Sequence, residues 1–329
     1  MSDLFVGKRV LITGGLGFIG SNLASALVNR DAKVMLLDSL LPEYGAVLEN
    51  IADFERMVKL NISDLRDPHS LRYLVQNNDY IFCLAGQVSH IDSMASPMTD
   101  LAINCQSQLS LLECCRYYNP DARIVFTSTR QVYGKPEYLP VDEKHPKVPV
   151  DINGINKLAA ESYYELYARV YGLKTINLRL TNTYGPRMDL RSGRKGFLNT
   201  FLGKVLREET IQIFGDGEQR RDFNYVDDVV DALIRASQLE TMEGGAFNLA
   251  HPRPCSINTI VSTLKSLLDL HVDYVPFPKE IKAIDIGDYY GSSAQFEELS
   301  GWKPSTELPT GLQNTIEFFR DKPQLFEAQ

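Results

Sequence analysis

Three glycines at equal spacing lie near the start of the chain, in the segment TGGLGFIG. The segment directly follows the apolar stretch KRVLIT (8–13), and it opens FIGSNLASALVNR (18–30), whose apolar residues recur at helical spacing. Between a strand and a helix, such glycines allow a tight turn, a close approach of backbone to a pyrophosphate, and close helix–strand packing. The segment therefore predicts a dinucleotide site with the phosphates at the N-terminus of the helix. The residues of this turn that we expect to contact the cofactor are Gly14, Gly17, Phe18, Ile19 and Gly20.

An acidic residue at the end of the second apolar segment indicates which dinucleotide binds. Asp38 ends KVMLLD (33–38), 18 residues after Gly20. A carboxylate at this place accepts hydrogen bonds from the adenosine ribose and repels a 2′-phosphate, which favours NAD over NADP. Asp64 and Leu65, which follow the third strand, are expected to line the adenine. The alternative for these two is an ordinary loop acid and a buried leucine.

Five apolar segments, together with the third strand before Asp64, are expected to form the sheet that positions these residues. After KRVLIT and KVMLLD come YIFCLA (80–85), RIVFTS (123–128) and TINLRL (175–180). They are apolar on both faces and alternate with helical patterns, which is typical of a parallel sheet covered on both sides. The predicted fold class is therefore α/β, a Rossmann-type doubly wound parallel sheet. Leu84 and Ala85, at the end of YIFCLA, are further expected cofactor contacts.

The second half of the chain is less regular and predicts a smaller C-terminal α/β lobe that binds the substrate. Helices are predicted from FLNTFLGKVLRE, FNYVDDVVDALIRASQ and INTIVSTLKSLLDL. We place the NAD-binding domain at 1–180 and the substrate lobe at 181–329. Segments from about 210–250 are candidates for joining the sheet.

Composition excludes several classes of function. The 329 residues carry a net charge of −8 without a basic block, so nucleic acid is not expected as a partner. No run of about 18 or more apolar residues predicts a membrane span, and the N-terminus lacks a secretory signal pattern. The five cysteines have neither metal-ligand spacing nor a paired framework. We therefore expect a cytoplasmic protein with reduced thiols and no metal.

Several separate motifs together resemble one family over residues 8–320. They are TGGLGFIG, LAGQVSH, TSTRQVYG, NKLAAE, LRLTNTYGPR and FGDGEQRRDFNYVDDVV. The chain resembles the extended short-chain dehydrogenases/reductases of the nucleotide-sugar epimerase/dehydratase family. The resemblance implies that NAD oxidises a hydroxyl of a nucleotide-diphosphate sugar to a ketone, often at C4. Epimerisation, dehydration or decarboxylation then follows. It also implies a catalytic set of a serine or threonine, a tyrosine and a lysine.

One member of that catalytic set differs in this chain. Thr129 matches the serine or threonine and Lys157 matches the lysine, but Asn153 stands at the tyrosine position. Positions four apart share a helix face, so Asn153 and Lys157 can both face the nicotinamide. Asparagine can position a hydroxyl but cannot take its proton. Arg130 and Gln131 stand where 4,6-dehydratases carry an Asp-Glu pair, which disfavours ordinary 4,6-dehydration.

Five residues are candidates for the missing proton acceptor. Lys157 is the nearest, since burial beside the positive nicotinamide lowers a lysine pKa, although it can equally serve only to bind the ribose. His90 follows the fourth strand near the expected sugar and titrates in the right range. Tyr133 and Tyr184 are more typical of packing residues, and Glu143 of a loop carboxylate.

The resemblance also implies the residues that bind the substrate and the surface that binds a second subunit. Asn182 and Arg221 match residues that contact the diphosphate, and Arg194 is a further candidate. Asp288 is expected to hold an arginine or a ribose, or to form a turn. In the family, the helices at 93–118 and 151–172 pack as a four-helix bundle between two subunits, so we expect a homodimer.

Together these observations favour an NAD-dependent epimerase/dehydratase-type enzyme, an epimerase above all, with an altered proton-transfer residue. Two alternatives stay open. The first is an NAD-binding homologue that is non-catalytic or regulatory, because the tyrosine is absent. The second is a nucleotide-ketosugar reductase or an enolising isomerase, because such a reaction does not start from an alcohol.

Overall fold

The computed structural model describes residues 4–191, 196–278, 282 and 285–327. Short segments of extended chain alternate with helices through the first half, as the apolar pattern predicts. The strands are β1 (Arg9–Thr13), β2 (Lys33–Asp38), β3 (Val58–Ile62), β4 (Tyr80–Cys83), β5 (Arg123–Thr129), β6 (Lys174–Leu180), β7 (Asn182–Tyr184), β8 (Ile211–Phe214), β9 (Arg220–Arg221), β10 (Phe223–Tyr225), β11 (Ala246–Leu249), β12 (Cys255–Ser256) and β13 (Val272–Val275).

Helices cover both faces of the sheet, and several begin at a side-chain cap. The N-cap of the longest helix is Asp151, and Gly172 ends that helix in the left-handed conformation. The helices are α1 (Phe18–Val28), α2 (Pro68–Leu74), α3 (His90–Ala95), α4 (Pro97–Leu101), α5 (Ser107–Tyr118), α6 (Ile152–Tyr171), α7 (Phe197–Leu206), α8 (Val226–Ala236), α9 (Ile257–Leu267), α10 (Ala294–Ser300) and α11 (Leu308–Arg320).

The main sheet has seven parallel strands among the described residues, in the order β11-β6-β5-β4-β1-β2-β3. The order reverses beside β1, and all carboxyl ends lie at one edge of the sheet. In a doubly wound sheet the crevice at such a reversal is the usual ligand site. This architecture confirms the predicted fold class.

The second half of the chain adds to this sheet. Strand β11 pairs with β6 and forms one edge of the sheet, whereas β8 pairs only with β13 in a separate two-stranded sheet. The boundary between the two predicted domains stays a prediction.

Two helix predictions need correction. Phe223–Tyr225 was expected to begin a helix, but these residues form β10, which pairs with β7, and helix α8 begins at Val226. The rings of Phe223 and Tyr225 pack on buried Tyr184, which extended chain permits. The segment TDLAINCQSQLSLLECCRYY (99–118) has the pattern of one long helix, but it is divided among α4, a π-helical turn at Ala102–Gln106, and α5.

A buried ion pair ties the longest helix to the sheet. Arg179 of β6 and Glu161 of α6 are each almost fully buried, and their closest nitrogen–oxygen distance is 2.7 Å. Arg179 also donates to the Tyr133 hydroxyl at 2.7 Å. The pair fixes α6, and with it the residues that α6 carries, against the centre of the sheet.

The described residues contain no helix that is both long and apolar enough to cross a membrane. Four of the five cysteines are buried, Cys255 is half-buried, and none is joined to another.

Candidate active site

A cavity of about 790 Å³ lies at the carboxyl ends of β1, β2, β4, β5 and β6. Its wall combines the glycine turn after β1, the loop after β4, the end of β5 and the start of α6. Most of the site residues predicted from sequence come together here. Those that line the cavity are Gly14, Gly17, Phe18, Ile19, Gly20, Asp38, Asp64, Leu65, Leu84, Ala85, His90, Thr129, Asn153, Lys157, Asn182 and Arg221.

The glycine turn forms a cradle that side chains would fill. Gly14 has φ +69°, and a Cβ there would lie 2.8 Å from the backbone nitrogen of Ala85. A Cβ on Gly20 would lie 2.2 Å from the carbonyl oxygen of Gly14. No side chain caps α1 at Gly17, and the first turn holds no acid. The amides at this helix N-terminus therefore suit a pyrophosphate, so these residues fit a bound dinucleotide.

Asp38 is held in place by the same turn. Its carboxylate accepts the amide hydrogens of Leu16 at 3.0 Å and Leu40 at 3.1 Å. Burial raises its pKa, and these hydrogen bonds oppose the rise. Nearby, the carboxylate of Asp64 accepts hydrogen bonds from the guanidinium of Arg66, and both residues line the cavity. A fixed carboxylate at the end of β2 is in the position expected for binding a ribose.

Lys157 extends from α6 to the end of β5. Its Nζ donates to the carbonyl oxygen of Thr127 at 3.1 Å and lies 4.7 Å from the centroid of the Phe126 ring. Burial lowers the pKa of Lys157 to about 8, although the nearby carboxylate of Asp100 opposes the shift. At neutral pH most molecules therefore carry a protonated Lys157, and the side chain becomes neutral at mildly basic pH.

Asn153 belongs to a buried network of amides around Asp100. Its Nδ2 contacts the Gln87 carbonyl at 2.7 Å, Gln87 Oε1 at 3.2 Å and Asp100 Oδ2 at 3.1 Å. Asp100 also accepts from Asn104 and Asn156. Both amide hydrogens of Asn153 are thus used inside the protein. Toward a ligand in the cavity it can offer only its oxygen, which accepts a hydrogen bond but takes no proton.

His90, the first residue of α3, contacts Asp151 on one side and Gln131, which in turn contacts Thr129 through its backbone, on the other. Its Nδ1 is hydrogen-bonded to Asp151, and its Nε2 lies 2.5 Å from the side-chain nitrogen of Gln131. The backbone amide of Gln131 donates to Thr129 Oγ1 at 3.3 Å. Since Asp151 is an acceptor, the neutral imidazole carries its proton on Nδ1, and Nε2 is left as the basic nitrogen.

Asp151 serves two roles at once. Its Oδ1 caps α6 by accepting the amide hydrogen of Gly154 at 2.7 Å, while Oδ2 faces His90. Burial alone would raise its pKa, but the hydrogen bond and charge of His90, the amide of Gly154 and the charge of Arg130 outweigh it, so the pKa lies below its usual value. Asp151 is thus an ionised acceptor that orients the imidazole. The imidazole itself is about one-third exposed, at 38%.

The other three candidates for the proton acceptor do not line the cavity. Tyr133 is fully buried, donates to Asn248 at 2.7 Å, and has a pKa raised to about 12 by burial. Tyr184 is buried and its pKa is raised as well, again by burial. Glu143 accepts the backbone amide of Asn248 at 2.8 Å. These residues support the scaffold, and only His90 and Lys157 of the five candidates face the cavity.

The predicted substrate residues are only partly brought together. Arg221 lines the cavity, donates to the carbonyls of Arg220 and Gly287, and lies 3.7 Å from Asp285. Asn182 donates to the carbonyl of Asp222 at 2.9 Å. Asp288 lies outside the cavity wall.

Asp288 instead holds Arg220 through a 2.9 Å ion pair, which is one of the three roles considered for it. Its contact with substrate stays untested. Arg194 lies outside the described residues.

The model of the NAD-dependent epimerase/dehydratase family matches residues 10–250. The chain belongs to this family. It is 31% identical over 322 residues to a UDP-glucose 4-epimerase of Mycolicibacterium smegmatis, covering 96% of this chain and 100% of that protein. It is 30% identical over 318 residues to UDP-glucuronic acid decarboxylase 1 of Xenopus tropicalis, covering 95% of this chain and 72% of that protein.

A solved structure agrees with this assignment. The UDP-glucose 4-epimerase of Thermotoga maritima, determined with UDP-glucose, superposes with a TM-score of 0.86 at 33% identity. The match covers 95% of this chain and 98% of that one. The family model makes NAD the cofactor of this epimerase/dehydratase, and the glycine turn and Asp38 are the residues that would hold it.

The sequence did not indicate that Asp151 contacts His90 or that Asp100 contacts Asn153. Asp151 could have been recognised as a helix N-cap from its position before α6, but nothing local indicates that its second oxygen meets His90. The Asp100 network likewise joins residues from α4, the π-helical turn and α6. The contacts of α6 with Asp100 and His90 link residues 53 to 61 positions apart, so only the fold reveals them.

Proposed function

We propose that this epimerase/dehydratase is a 4-epimerase of a UDP-linked sugar, acting through transient oxidation of the sugar. One observation supports this most strongly. A single cavity is lined by the NAD cradle, by Thr129 and Lys157 of the family's catalytic set, and by Arg221, which suits a diphosphate. The UDP-sugar epimerases among its relatives support the choice of nucleotide and reaction.

His90 is the proton acceptor in this proposal. When bound, NAD supplies a reversible acceptor for hydride from a sugar carbon. His90 Nε2 takes the proton of the hydroxyl on that carbon and returns it in the reverse step. Asp151 keeps the imidazole in the required tautomer and orientation. For this to happen, the sugar hydroxyl must replace the side-chain amide of Gln131 at Nε2.

The neighbouring residues position the reacting oxygen. Thr129 Oγ1 accepts a backbone hydrogen bond, so its own proton is available to donate to the sugar oxygen. Lys157 holds the nicotinamide ribose, and its positive charge favours loss of a proton nearby. Asn153 presents only an acceptor to the cavity, and its role is to receive a hydrogen bond from a sugar hydroxyl.

The reaction is tested by incubating the purified protein with UDP-, dTDP-, GDP- and CDP-sugars and following the products by NMR. We expect a C4 epimer of a UDP-sugar without net accumulation of NADH. A parallel incubation in D₂O asks whether solvent deuterium enters the sugar. Absence of turnover and of deuterium across the panel would refute the proposed activity.

The role of His90 is tested separately by His90→Asn. Loss of general acid–base catalysis should lower kcat about 10²- to 10⁴-fold, with NAD affinity unchanged. The pH–rate profile of the wild type should lose one ionisation in the variant. His69→Asn, which changes an exposed histidine, serves as the matched control. A His90→Asn protein with the wild-type rate and profile would leave Lys157 as the acceptor.

The non-catalytic alternative rests on the way Asn153 is buried in the Asp100 network. If the protein acts only by binding NAD, Lys157→Ala and Thr129→Ala would leave its biological activity intact. An enolising isomerase would instead incorporate solvent deuterium without reducing the cofactor, which the D₂O incubation detects. A ketosugar reductase would consume NADH in step with the ketosugar.

A homodimer completes the proposal. Helices α3 to α6 carry apolar side chains that are exposed in one chain, including Ile91, Met98, Tyr117, Ile155 and Val170. Such side chains on neighbouring helices suit burial against a second copy. Light scattering should give twice the mass of one chain, and Ile155→Asp should shift the protein toward the monomer. Cytoplasmic location stays a prediction.

A further inference from the structure

Arg130 is a half-buried cation at the cavity that forms no ion pair with the residues that the structure describes. It directly follows Thr129, at the carboxyl end of β5, and lines the cavity. Its Nη1 is shielded from solvent and has no hydrogen-bond partner among the residues that the structure describes. Within those residues no carboxylate forms an ion pair with it. Arg130 as a whole is half-buried, but a donor nitrogen that is shielded from water and unpaired is destabilising, so the site is suited to an anion that arrives with a ligand.

The orientation of Arg130 is fixed by an aromatic ring. The guanidinium carbon lies 5.0 Å from the centroid of Tyr289, whose side chain is 1% exposed. Cation–π contact of this kind restrains the plane of the guanidinium. Arg130 is therefore a positioned donor, unlike a mobile arginine on the surface.

The place of Arg130 in the cavity indicates which part of the ligand carries the anion. Arg221, assigned above to the diphosphate, has a pKa lowered to about 10 by burial and by the charge of Arg130. The two guanidinium groups are thus near each other but on different elements. Arg130 lies between Thr129 and Gln131 in the chain, and its charge also lowers the pKa of Asp151, the carboxylate that contacts His90. Its ligand is accordingly near the reacting end of the sugar.

We infer that Arg130 binds a carboxylate carried by the sugar, which makes the substrate a nucleotide-linked acidic sugar such as a hexuronic acid. The forked donors of arginine match a planar carboxylate in geometry and charge. This inference rests on the proposed function, because it takes the cavity to be a nucleotide-sugar site. It adds the class of sugar and the residue that selects it.

The competing explanation is a structural one. Asp222 is fully buried, its Oδ1 has no hydrogen-bond partner among the described residues, and burial raises its pKa to about 6. The charge of Arg130 favours the ionised form of this carboxyl. If Arg130 serves only to compensate Asp222, its removal should destabilise the protein without changing which sugar is bound.

The test compares UDP-glucuronate with UDP-glucose, which differ only in the carboxylate at C6, by calorimetry on the NAD-loaded protein. One charge-assisted pair predicts that UDP-glucuronate binds about 10- to 100-fold more tightly. Arg130→Met should remove this preference while leaving the affinity for UDP-glucose and for UDP unchanged. Arg130→Lys should retain part of it. Arg235→Met, which changes an exposed arginine of α8, should keep the preference intact.

Equal affinity of the wild type for the two sugars would overturn the inference, as would an Arg130→Met protein that still prefers UDP-glucuronate. An equal loss of both affinities in Arg130→Met, together with a lower melting temperature, would assign Arg130 to Asp222 and overturn it too. Because the readout is binding, these results are independent of turnover. Binding of UDP-glucose with C4 epimerisation but no preference would leave the proposed function standing.

Discussion

Replacing Lys157 by methionine should change how stability depends on pH. The pKa of Lys157 falls from 10.5 to about 8 on folding, chiefly through burial. Each tenfold change in a protonation equilibrium corresponds to about 1.4 kcal/mol, so burying the ammonium at pH 7 costs about 3 kcal/mol. Methionine is similar in length but uncharged, so the folded variant does not bear the free-energy cost of burying an ammonium group.

The sign follows from the two pKa values. Below pH 8 the lysine is charged in both folded and unfolded protein, and the folded protein bears the full cost. Between pH 8 and 10.5 the folded protein loses the proton first, so the stability of the wild type rises with pH relative to the variant. From pH 7 to 9.5 the advantage of Lys157→Met should shrink by about 2 kcal/mol. The unpaired Thr127 carbonyl adds a cost to the variant that does not change with pH.

Thermal or urea denaturation without NAD, at several pH values between 7 and 9.5, measures this difference. In a chain of 329 residues, 2 kcal/mol corresponds to a few degrees in melting temperature. Lys265→Met, which removes an exposed lysine of α9, controls for the loss of one positive charge. A difference between wild type and Lys157→Met that is constant with pH would refute the reasoning, because it would mean that the folded lysine keeps its ordinary pKa.

Three further results are expected. Gly20→Ala should weaken NAD binding at least ~10-fold by calorimetry, because its Cβ would lie 2.2 Å from the carbonyl oxygen of Gly14; unchanged affinity would show that the turn can move. Asp38→Asn should narrow the preference for NAD over NADP about tenfold, because a charge that repels the 2′-phosphate is removed; equal cofactor ratios in the two proteins would contradict this. Glu161→Gln should reduce the free energy of unfolding by about 3–5 kcal/mol in urea titrations, because Arg179 stays charged and buried; a loss below about 1 kcal/mol would mean that water reaches the pair.

The cofactor half of the cavity could be predicted in detail from the sequence, because its determinants are local. A glycine turn needs only neighbouring residues to specify its conformation, and the strand before it and the helix after it are visible as apolar patterns. Gly14, Gly20 and Asp38 accordingly all line the cavity. The structure adds that Asp38 is fixed by the amides of the turn itself.

The substrate half could be predicted only in part. Arg221 and Asn182 were identified from motifs and line the cavity, whereas Asp288 turns to Arg220. A carboxylate such as Asp288 can pair with any of several cations, and the spacing of residues in the sequence does not show which cation the fold brings near it. Secondary structure shows the same limit. Residues Phe223–Tyr225 precede a helical pattern, but they form a strand because they pair with β7, which lies about 40 positions earlier in the chain.

By itself, the sequence determined the sheet, the NAD cradle and the absence of a proton-accepting side chain at position 153, because these depend on residue type and short-range spacing. The tertiary structure decided which histidine has a carboxylate behind it, and which arginine keeps an unpaired nitrogen among the described residues. His90 and Asp151 are 61 positions apart, and Arg130 Nη1 has no hydrogen-bond partner in the part of the chain that the structure describes. Such pairings arise only when separate strands and helices end at the same edge of the sheet, so the chemistry of the cavity is a property of the fold.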